Sequence, residues 1–357
     1  MSNPAALIRE RAHALGFDKV GIASAKEPLE PEHARYLDFV ERGMHGTMDY
    51  LAAAADARRG VDSPAILEGA TSVICVAESY AGESAWGDGE GVVHNLARYA
   101  RGSDYHNHLR RRLRRLAAFV RRLGSGVRAR PVTDAVPMLE RAWARRAGLG
   151  FVGKNGLIIV PGVGSYVLLG EVVTTLELES DQPMVERCGS CSLCLDACPT
   201  SAFEQPLVLD PRRCISYLTI ELDGAMPVHL REGVGDHLFG CDVCQDVCPY
   251  NRAADAKPGN VRRAETLRYR PLPRWTEQTV EQLAAFGEAE FDELVRGSPV
   301  KRASFAGLVR NAVTVLANRR DPRYKDLFQR LVRDHPDAAV REHAAWALTL
   351  LEAPCDA

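Results

Sequence analysis

Cys188-Gly189-Ser190-Cys191-Ser192-Leu193-Cys194-Leu195-Asp196-Ala197-Cys198-Pro199 is the stretch on which the reading of this chain turns. Its spacing, Cys-x2-Cys-x2-Cys-x3-Cys-Pro, is that of the bacterial ferredoxin run. A cubane cluster takes one thiolate per iron. Two-residue spacers let a looping backbone present three sulfurs to one cluster, while the cysteine before proline turns toward a second. Further on, Cys241-Asp242-Val243-Cys244-Gln245-Asp246-Val247-Cys248-Pro249 repeats the last three positions, but Leu238 stands where its first cysteine would be. Cys214 is the unassigned cysteine nearby. The inferred ligand sets therefore cross: Cys188, Cys191, Cys194 and Cys248 for one [4Fe-4S] cluster, and Cys198, Cys214, Cys241 and Cys244 for the other. Two structural zinc sites are the alternative reading, but zinc explains neither the Cys-Pro endings nor the x2, x2, x3 spacing.

Outward from these motifs, residues 181–260 are rich in Cys, Pro and Asp and poor in periodic runs, as expected of a unit held by metal rather than by a large core. The preceding 1–180 alternate helices and strands, which predicts an α/β domain. Helices are expected at 5–15, 106–123 and 137–147, and strands at 16–23, 71–80, 156–160 and 165–178. From about 276 the pattern is helical, and Val309-Arg310-Asn311-Ala312 and Val340-Arg341-Glu342-His343-Ala344 each open an apolar helix. A HEAT-like all-α unit over 261–357 is predicted, with a plain helical bundle as the alternative.

The 357 residues are 46% apolar and 26% charged, with a net charge of −2. No run approaches the ~20 apolar residues of a membrane span, and the N-terminus has no apolar segment of secretory type. A cytoplasmic protein without membrane contact is expected, and nothing suggests an obligate interface, so a monomer is expected too. Cys75, in an apolar run, reads as a buried strand residue, and Cys355 as a tail residue without a role. The run Gly148-Leu149-Gly150-Phe151-Val152-Gly153-Lys154-Asn155 imitates both a dinucleotide fingerprint and a P-loop. Both need a strand before the glycines and a helix after; here a helix precedes and a strand follows. The glycines are expected to let the backbone approach a large ligand.

The chain also carries Gly43-Met44-His45-Gly46-Thr47-Met48-Asp49-Tyr50-Leu51, Ala97-Arg98-Tyr99-Ala100-Arg101-Gly102 followed by Asp104-Tyr105-His106, Asp134 with Leu139-Glu140-Arg141-Ala142, the glycine run with Lys154-Asn155, Cys214-Ile215-Ser216-Tyr217-Leu218-Thr219-Ile220-Glu221, and Gly240 ahead of the second cysteine group. With these motifs it resembles the epoxyqueuosine reductases over essentially its whole length. Ala135 and Val136, where related chains tend to have a small residue and proline, and a short helical tail depart from the pattern. The resemblance implies an N-terminal cobalamin-binding catalytic domain (1–180), a ferredoxin-like domain with two [4Fe-4S] clusters (181–260) and a connector with a HEAT-like domain (261–357), the first two similar to the reductive dehalogenase core. It implies base-off cobalamin reduced to Co(I) by the clusters, reduction of the epoxide of epoxyqueuosine in the anticodon of tRNA to queuosine, and an external electron donor such as a flavodoxin or ferredoxin system.

The resemblance makes Asp134 the proton donor, with burial expected to raise its carboxyl pKa; on residue type alone it reads as a helix N-cap. It makes Arg59, Arg98, Tyr99, Tyr105 and His106 candidates for cobalamin or substrate contact. Gly153, Lys154, Asn155 and Gly156 are candidates for holding corrin amides, and Ser216, Glu221, Cys241 and Asp242 are expected near the corrin edge. Arg111, Arg115 and Arg122 on the basic helix, and Arg302 and Arg310 on the tail, are candidate tRNA phosphate contacts; the alternative is a solvated charged face. A further basic group runs through Arg262, Arg263, Arg268, Arg270 and Arg274. The rival readings are a reductive dehalogenase and an electron carrier with no substrate of its own.

Overall fold

The structure is a computed structural model that describes residues 3–80, 91–134, 136–255 and 269–352. Ala135, the Cys355 tail, Arg262, Arg263, Arg268 and the expected 260/261 boundary lie outside the described residues. Asn3 caps α1 (Pro4–Ala14) by accepting the Ala5 N–H at 2.9 Å, and Pro4 supplies the fixed φ that suits a first helical position. Strands β1 (Lys19–Ser24), β2 (Ser72–Ser79), β3 (Ala129–Val132) and β6 (Val167–Thr174) form one sheet in the order β1-β2-β6-β3. Every pairing is antiparallel, so the unit is α+β rather than the α/β that its alternation suggested.

Helix α3 (Tyr105–Arg121) lays Leu109, Leu113, Leu116 and Val120 on one face of the sheet with α1. Helix α4 (Glu140–Arg146) covers the other face with Trp143 and Ala144. Sequence reading missed α2 (Glu30–Glu41) and β3. Pro131 cannot donate to a ladder, which demotes Ala129–Val132 as a strand; it is tolerated because β3 lies at the sheet edge. The helix expected from 137 starts at Glu140, with Leu139 rather than Asp134 at its N-cap position, so the N-cap reading of Asp134 falls. The glycine run serves the chain's own backbone: a Cβ on Gly148 would lie 2.7 Å from the Gln182 carbonyl oxygen, and one on Gly150 2.3 Å from that of Ile159. Residue 159 belongs to the small hairpin of β4 (Phe151–Val152) and β5 (Ile158–Ile159).

The tail is helical, with Val280–Ala284, Glu288–Leu294, α5 (Phe305–Asn318), α6 (Lys325–Asp334) and α7 (Ala338–Glu352). Its core takes in Val92, Val93, Leu96 and Ala100 from the N-terminal unit and Leu238 and Phe239 from the cysteine-rich unit. No helix among the described residues is long and apolar enough to cross a membrane.

Two buried groups of the tail are structural. Arg310 is 2% exposed and donates to the carbonyls of Leu218, Leu222 and Gly224, so it is not available to an RNA phosphate, contrary to expectation. Arg310→Ala would strand those carbonyls and should cost about 2–4 kcal/mol. Chemical denaturation checks this, and a loss below about 0.5 kcal/mol, the size of an ordinary surface change, would contradict it. His343 is fully buried, accepts the Met226 N–H on Nε2 at 3.0 Å and faces the Thr314 hydroxyl with Nδ1 at 2.8 Å. Burial, then the nearby Arg231 and Arg310, push its pKa down to about 2. The unfolded chain therefore takes up this proton below about pH 6.5 and the folded one does not. Stability should fall as pH drops through that value, by about 1.4 kcal/mol per unit from this group. His343→Gln should flatten that part of the denaturation profile.

Candidate active site and iron–sulfur centres

The two cysteine groups are held by short helical turns, Leu193–Asp196 and Val243–Asp246, that pack on each other. Cys188, Cys191, Cys194 and Cys248 line one cavity, together with Lys154, Asn155, Leu193 and Tyr250. Cys198 and Cys214 instead crowd Cys241, and Cys214 crowds Cys244. The sulfurs surround space: among the described residues no three His, Cys, Asp or Glu side chains converge closely enough to hold a single ion.

Amides face the sulfurs. The Ala202 N–H donates to Cys198 Sγ at 3.3 Å, and Cys214 receives the Ser216 and Tyr217 N–H groups and the Ser216 hydroxyl. Such donors stabilise thiolate charge and tune cluster potentials. Burial first, and neighbouring sulfur or carboxylate charge after it, pushes the Cys188 thiol up to about 11 and Cys241 to about 12. Thiolates in such surroundings need cationic metal beside them, and the donor sets fit two cubane clusters.

Several expected cofactor contacts have other work. The Lys154 ammonium donates to the carbonyls of Gly189 (2.6 Å) and Cys191 (2.9 Å), clamping the first cysteine loop. Asn155 donates to the Cys244 carbonyl at 3.5 Å and accepts the Leu157 N–H, so it ties the hairpin to the second loop. The Gly153 N–H donates to Leu157, and the Gly156 carbonyl accepts from Arg141. The Arg98 N–H donates to Asp242 at 2.7 Å, and its guanidinium reaches Asp246 at 2.6 Å over the Tyr166 ring. Asp242 is buried and also accepts from Gln245. Lys154, Asn155, Arg98 and Asp242 brace the cluster loops, while the Gly153 and Gly156 bonds hold the hairpin turn and Arg141. Arg59 pairs with Glu30 at the surface, away from this network.

Of the remaining candidates, Tyr99, Tyr105, His106, Asp134 and Glu221 border one partly open cleft, while Ser216 lies against Cys214. Asp134 sits at φ 48°, a left-handed conformation that Asp tolerates better than most residues, and its side chain is 45% exposed. One carboxyl oxygen, Oδ2, accepts from the Tyr105 hydroxyl at 2.6 Å and lies 3.3 Å from His106 Nε2. The other side of His106 is engaged too, with Nδ1 2.6 Å from Asp104, the N-cap of α3. Tyr99 packs edge-on to Tyr105, with centroids 6.1 Å apart, and reaches the Gly240 backbone beside Cys241. Tyr50, half-exposed, lies under the Arg302 guanidinium, which forms a two-pronged pair with Glu221. Tyr50 and Tyr99 both feel the charges of Asp134, Glu221 and Arg302, so these groups face a common space. Arg302, expected to contact RNA, is engaged at this rim. Arg111, Arg115 and Arg122 are exposed on α3 and its end.

The electrostatics differ from expectation at Asp134. Burial alone would raise its pKa, but hydrogen bonds from His106 and Tyr105 outweigh that and hold the carboxyl below its ordinary value. Neutral acid character appears deeper. Glu140 accepts the Asp134 N–H at 2.9 Å, and burial followed by the Asp134 charge pushes its carboxyl up to about 8. Glu171, wholly buried on β6, is pushed far up by the same two causes, burial and then the Glu140 and Asp134 charges. Sequence reading quoted Glu140 without a role and passed over Glu171; a lone carboxylate inside the apolar strand Val167–Thr174 was the available signal.

Cysteine sets of ferredoxin type abutting a separate acid-bearing cleft define a class, the iron–sulfur oxidoreductases whose clusters serve a second site. The family described as 4Fe-4S double cluster binding domain matches residues 187–251, and that described as Epoxyqueuosine reductase QueG, DUF1730 matches residues 61–135. The epoxyqueuosine reductase of Gloeobacter violaceus is 41% identical over 321 residues, 88% of this chain and 97% of that protein. A crystal structure of epoxyqueuosine reductase with an epoxyqueuosine-modified tRNA-Tyr stem loop superposes with TM-score 0.86 at 30% identity, covering 99% of this chain and 92% of that one. A Bacillus subtilis epoxyqueuosine reductase structure, with its catalytic aspartate loop swung out of the active site, gives TM-score 0.84 at 30% identity over 98% of this chain and 91% of that one. The chain belongs to the epoxyqueuosine reductase family.

Proposed function

We propose that this chain reduces the epoxide of epoxyqueuosine in tRNA to the alkene of queuosine, with cobalamin in the Tyr50–Tyr99–Asp134 cleft and two [4Fe-4S] clusters behind it. The observation that carries the reading is the link from Asp134 through Tyr105 and Tyr99 to the Gly240-Cys241 backbone, which sets an acid and a cluster loop on one cleft. Both His106 nitrogens are engaged, by Asp104 and Asp134, so this histidine would orient the acid while the neighbouring side chains held the cofactor. When bound, cobalamin would supply a strongly reducing, nucleophilic metal centre. Tyr50, Tyr99, Ser216, Glu221 and Arg302 would border it.

The chain's own residues do the rest. Cys188, Cys191, Cys194 and Cys248 hold one cluster; Cys198, Cys214, Cys241 and Cys244 hold the other. Asp134 delivers protons to the epoxide oxygen, and Tyr105 and His106 hold its carboxyl in place. The exposed α3 arginines Arg111, Arg115 and Arg122 would neutralise tRNA phosphates, and a flipped wobble base would enter the cleft. The test is anaerobic incubation of reconstituted protein with cobalamin, a strong reductant and epoxyqueuosine-containing tRNA, followed by nucleoside analysis. Queuosine is expected; none formed by protein with intact clusters would overturn the reading.

A further inference from the structure

Three carboxyls run inward from the cleft. Asp134 is at the surface, Glu140 opens α4 beneath it, and Glu171 lies in the middle of the sheet, opposite Val132 on β3 and Cys75 on β2. The Glu140 carboxyl accepts the Asp134 N–H at 2.9 Å, its helix packs against β6, and it acts electrostatically on the carboxyls of both Asp134 and Glu171. Neither oxygen of Glu171 receives an N–H or O–H donor from any other described residue. Carboxylate oxygens have only lone pairs, so three ionised groups in contact would repel at each junction. A proton at each junction turns the repulsion into a hydrogen bond. The residues facing this line supply no competing cation at its inner end: Cys75 is a buried thiol whose own ionisation burial, then Glu171 and Glu140, suppress. Arg141 donates to the Gly156 carbonyl and its charge opposes the rise at Glu140 without overcoming it; of the three carboxyls, His106 and Tyr105 bond only Asp134, and the other His106 nitrogen faces Asp104.

We propose that Glu140 is the proton store for Asp134, with Glu171 staying neutral behind it as a fixed donor. This rests on the reading of Asp134 as the acid. Epoxide, two electrons and two protons give alkene and water. The electrons come from the reduced cofactor system of the reaction. The first proton passes from Glu140 to Asp134 and on to the epoxide oxygen as its C–O bond breaks. The Glu171 O–H then donates to the Glu140 carboxylate and stabilises the charge left there. The second proton enters from water at the exposed Asp134 oxygen and leaves with the product water. One more proton from water refills Glu140, so two protons are drawn from solvent per turnover. Glu140 and Glu171 touch no substrate; they are positioning residues that act through Asp134.

The test compares Glu140→Gln and Glu171→Gln with the wild type as cluster-loaded protein. Infrared difference spectra between H2O and D2O, without substrate, read the carbonyl stretch of neutral carboxylic acids. The wild type should show such bands near neutral pH, each Gln variant should lose one, and Asp134→Asn should lose none. In turnover, the wild-type rate should fall as pH rises through about 8, where Glu140 loses its proton. Glu140→Gln should turn over about 10–100-fold more slowly and lose that alkaline limb, a change that loss of packing alone would not produce. Unchanged bands in both Gln variants, or wild-type rate and alkaline limb in Glu140→Gln, would overturn the store. Activity in Asp134→Asn would instead overturn the acid itself, so the two failures are distinguishable.

Discussion

Asp134→Asn should retain both clusters and the cleft but lose turnover by about 10²–10⁴-fold, the usual contribution of a positioned acid. The amide keeps one acceptor oxygen for the Tyr105 hydroxyl, so the loop should stay in place. What it loses is the group that passes protons from the inner carboxyls to the substrate. Single-turnover formation of queuosine measures the loss, and iron content checks that the variant is loaded. Wild-type turnover in this variant would remove Asp134 from the chemistry. The lowered Asp134 pKa sharpens the expectation, since a carboxyl that is ionised at rest must be recharged before it can act as an acid.

The second large effect lies in the cluster ligands. Wild-type protein reconstituted without oxygen should hold about eight irons, four per cubane. Cys214→Ala should hold about four, as should Cys198→Ala, and both should lose the same cluster signal in electron paramagnetic resonance. Cys248→Ala should lose the other, together with Cys188→Ala. The pairing of Cys198 with the downstream group is the decisive point. If Cys198→Ala and Cys188→Ala lost the same signal, the crossing would be wrong. Fewer than four irons in the wild type would sink the two-cluster reading altogether.

The cysteine spacing is legible because it is a local constraint: a turn of fixed length sets which sulfurs face inward, and Leu238 in place of a cysteine exposes the need for Cys214. The tail and the long amphipathic helix are legible for the same reason, since periodicity at three and four residues needs only neighbours. Arginine runs were the poorest guide. Arg110, Arg111, Arg114, Arg115 and Arg122 face solvent, yet Arg112 in the same run is buried against Glu78. Arg310 disappears among carbonyls of another segment. A guanidinium's partner is chosen by residues far along the chain, which no run of charges records.

By itself, then, the sequence marked a double-cluster cysteine region, the helical tail and a carboxyl residue before α4. Only the tertiary structure decided that the sheet is antiparallel and that Lys154, Asn155 and Arg98 brace cluster loops. It also placed Glu140 and Glu171 behind Asp134, where burial and the neighbouring carboxyl charges push both pKa values up while hydrogen bonds from His106 and Tyr105 hold that of Asp134 down. The physical reason is distance along the chain: cluster ligation and helix periodicity are written in spacings of two to four residues. The state of a carboxyl depends instead on how deeply it is buried and on which distant groups reach it, and here α3, α4 and β6 meet only after folding.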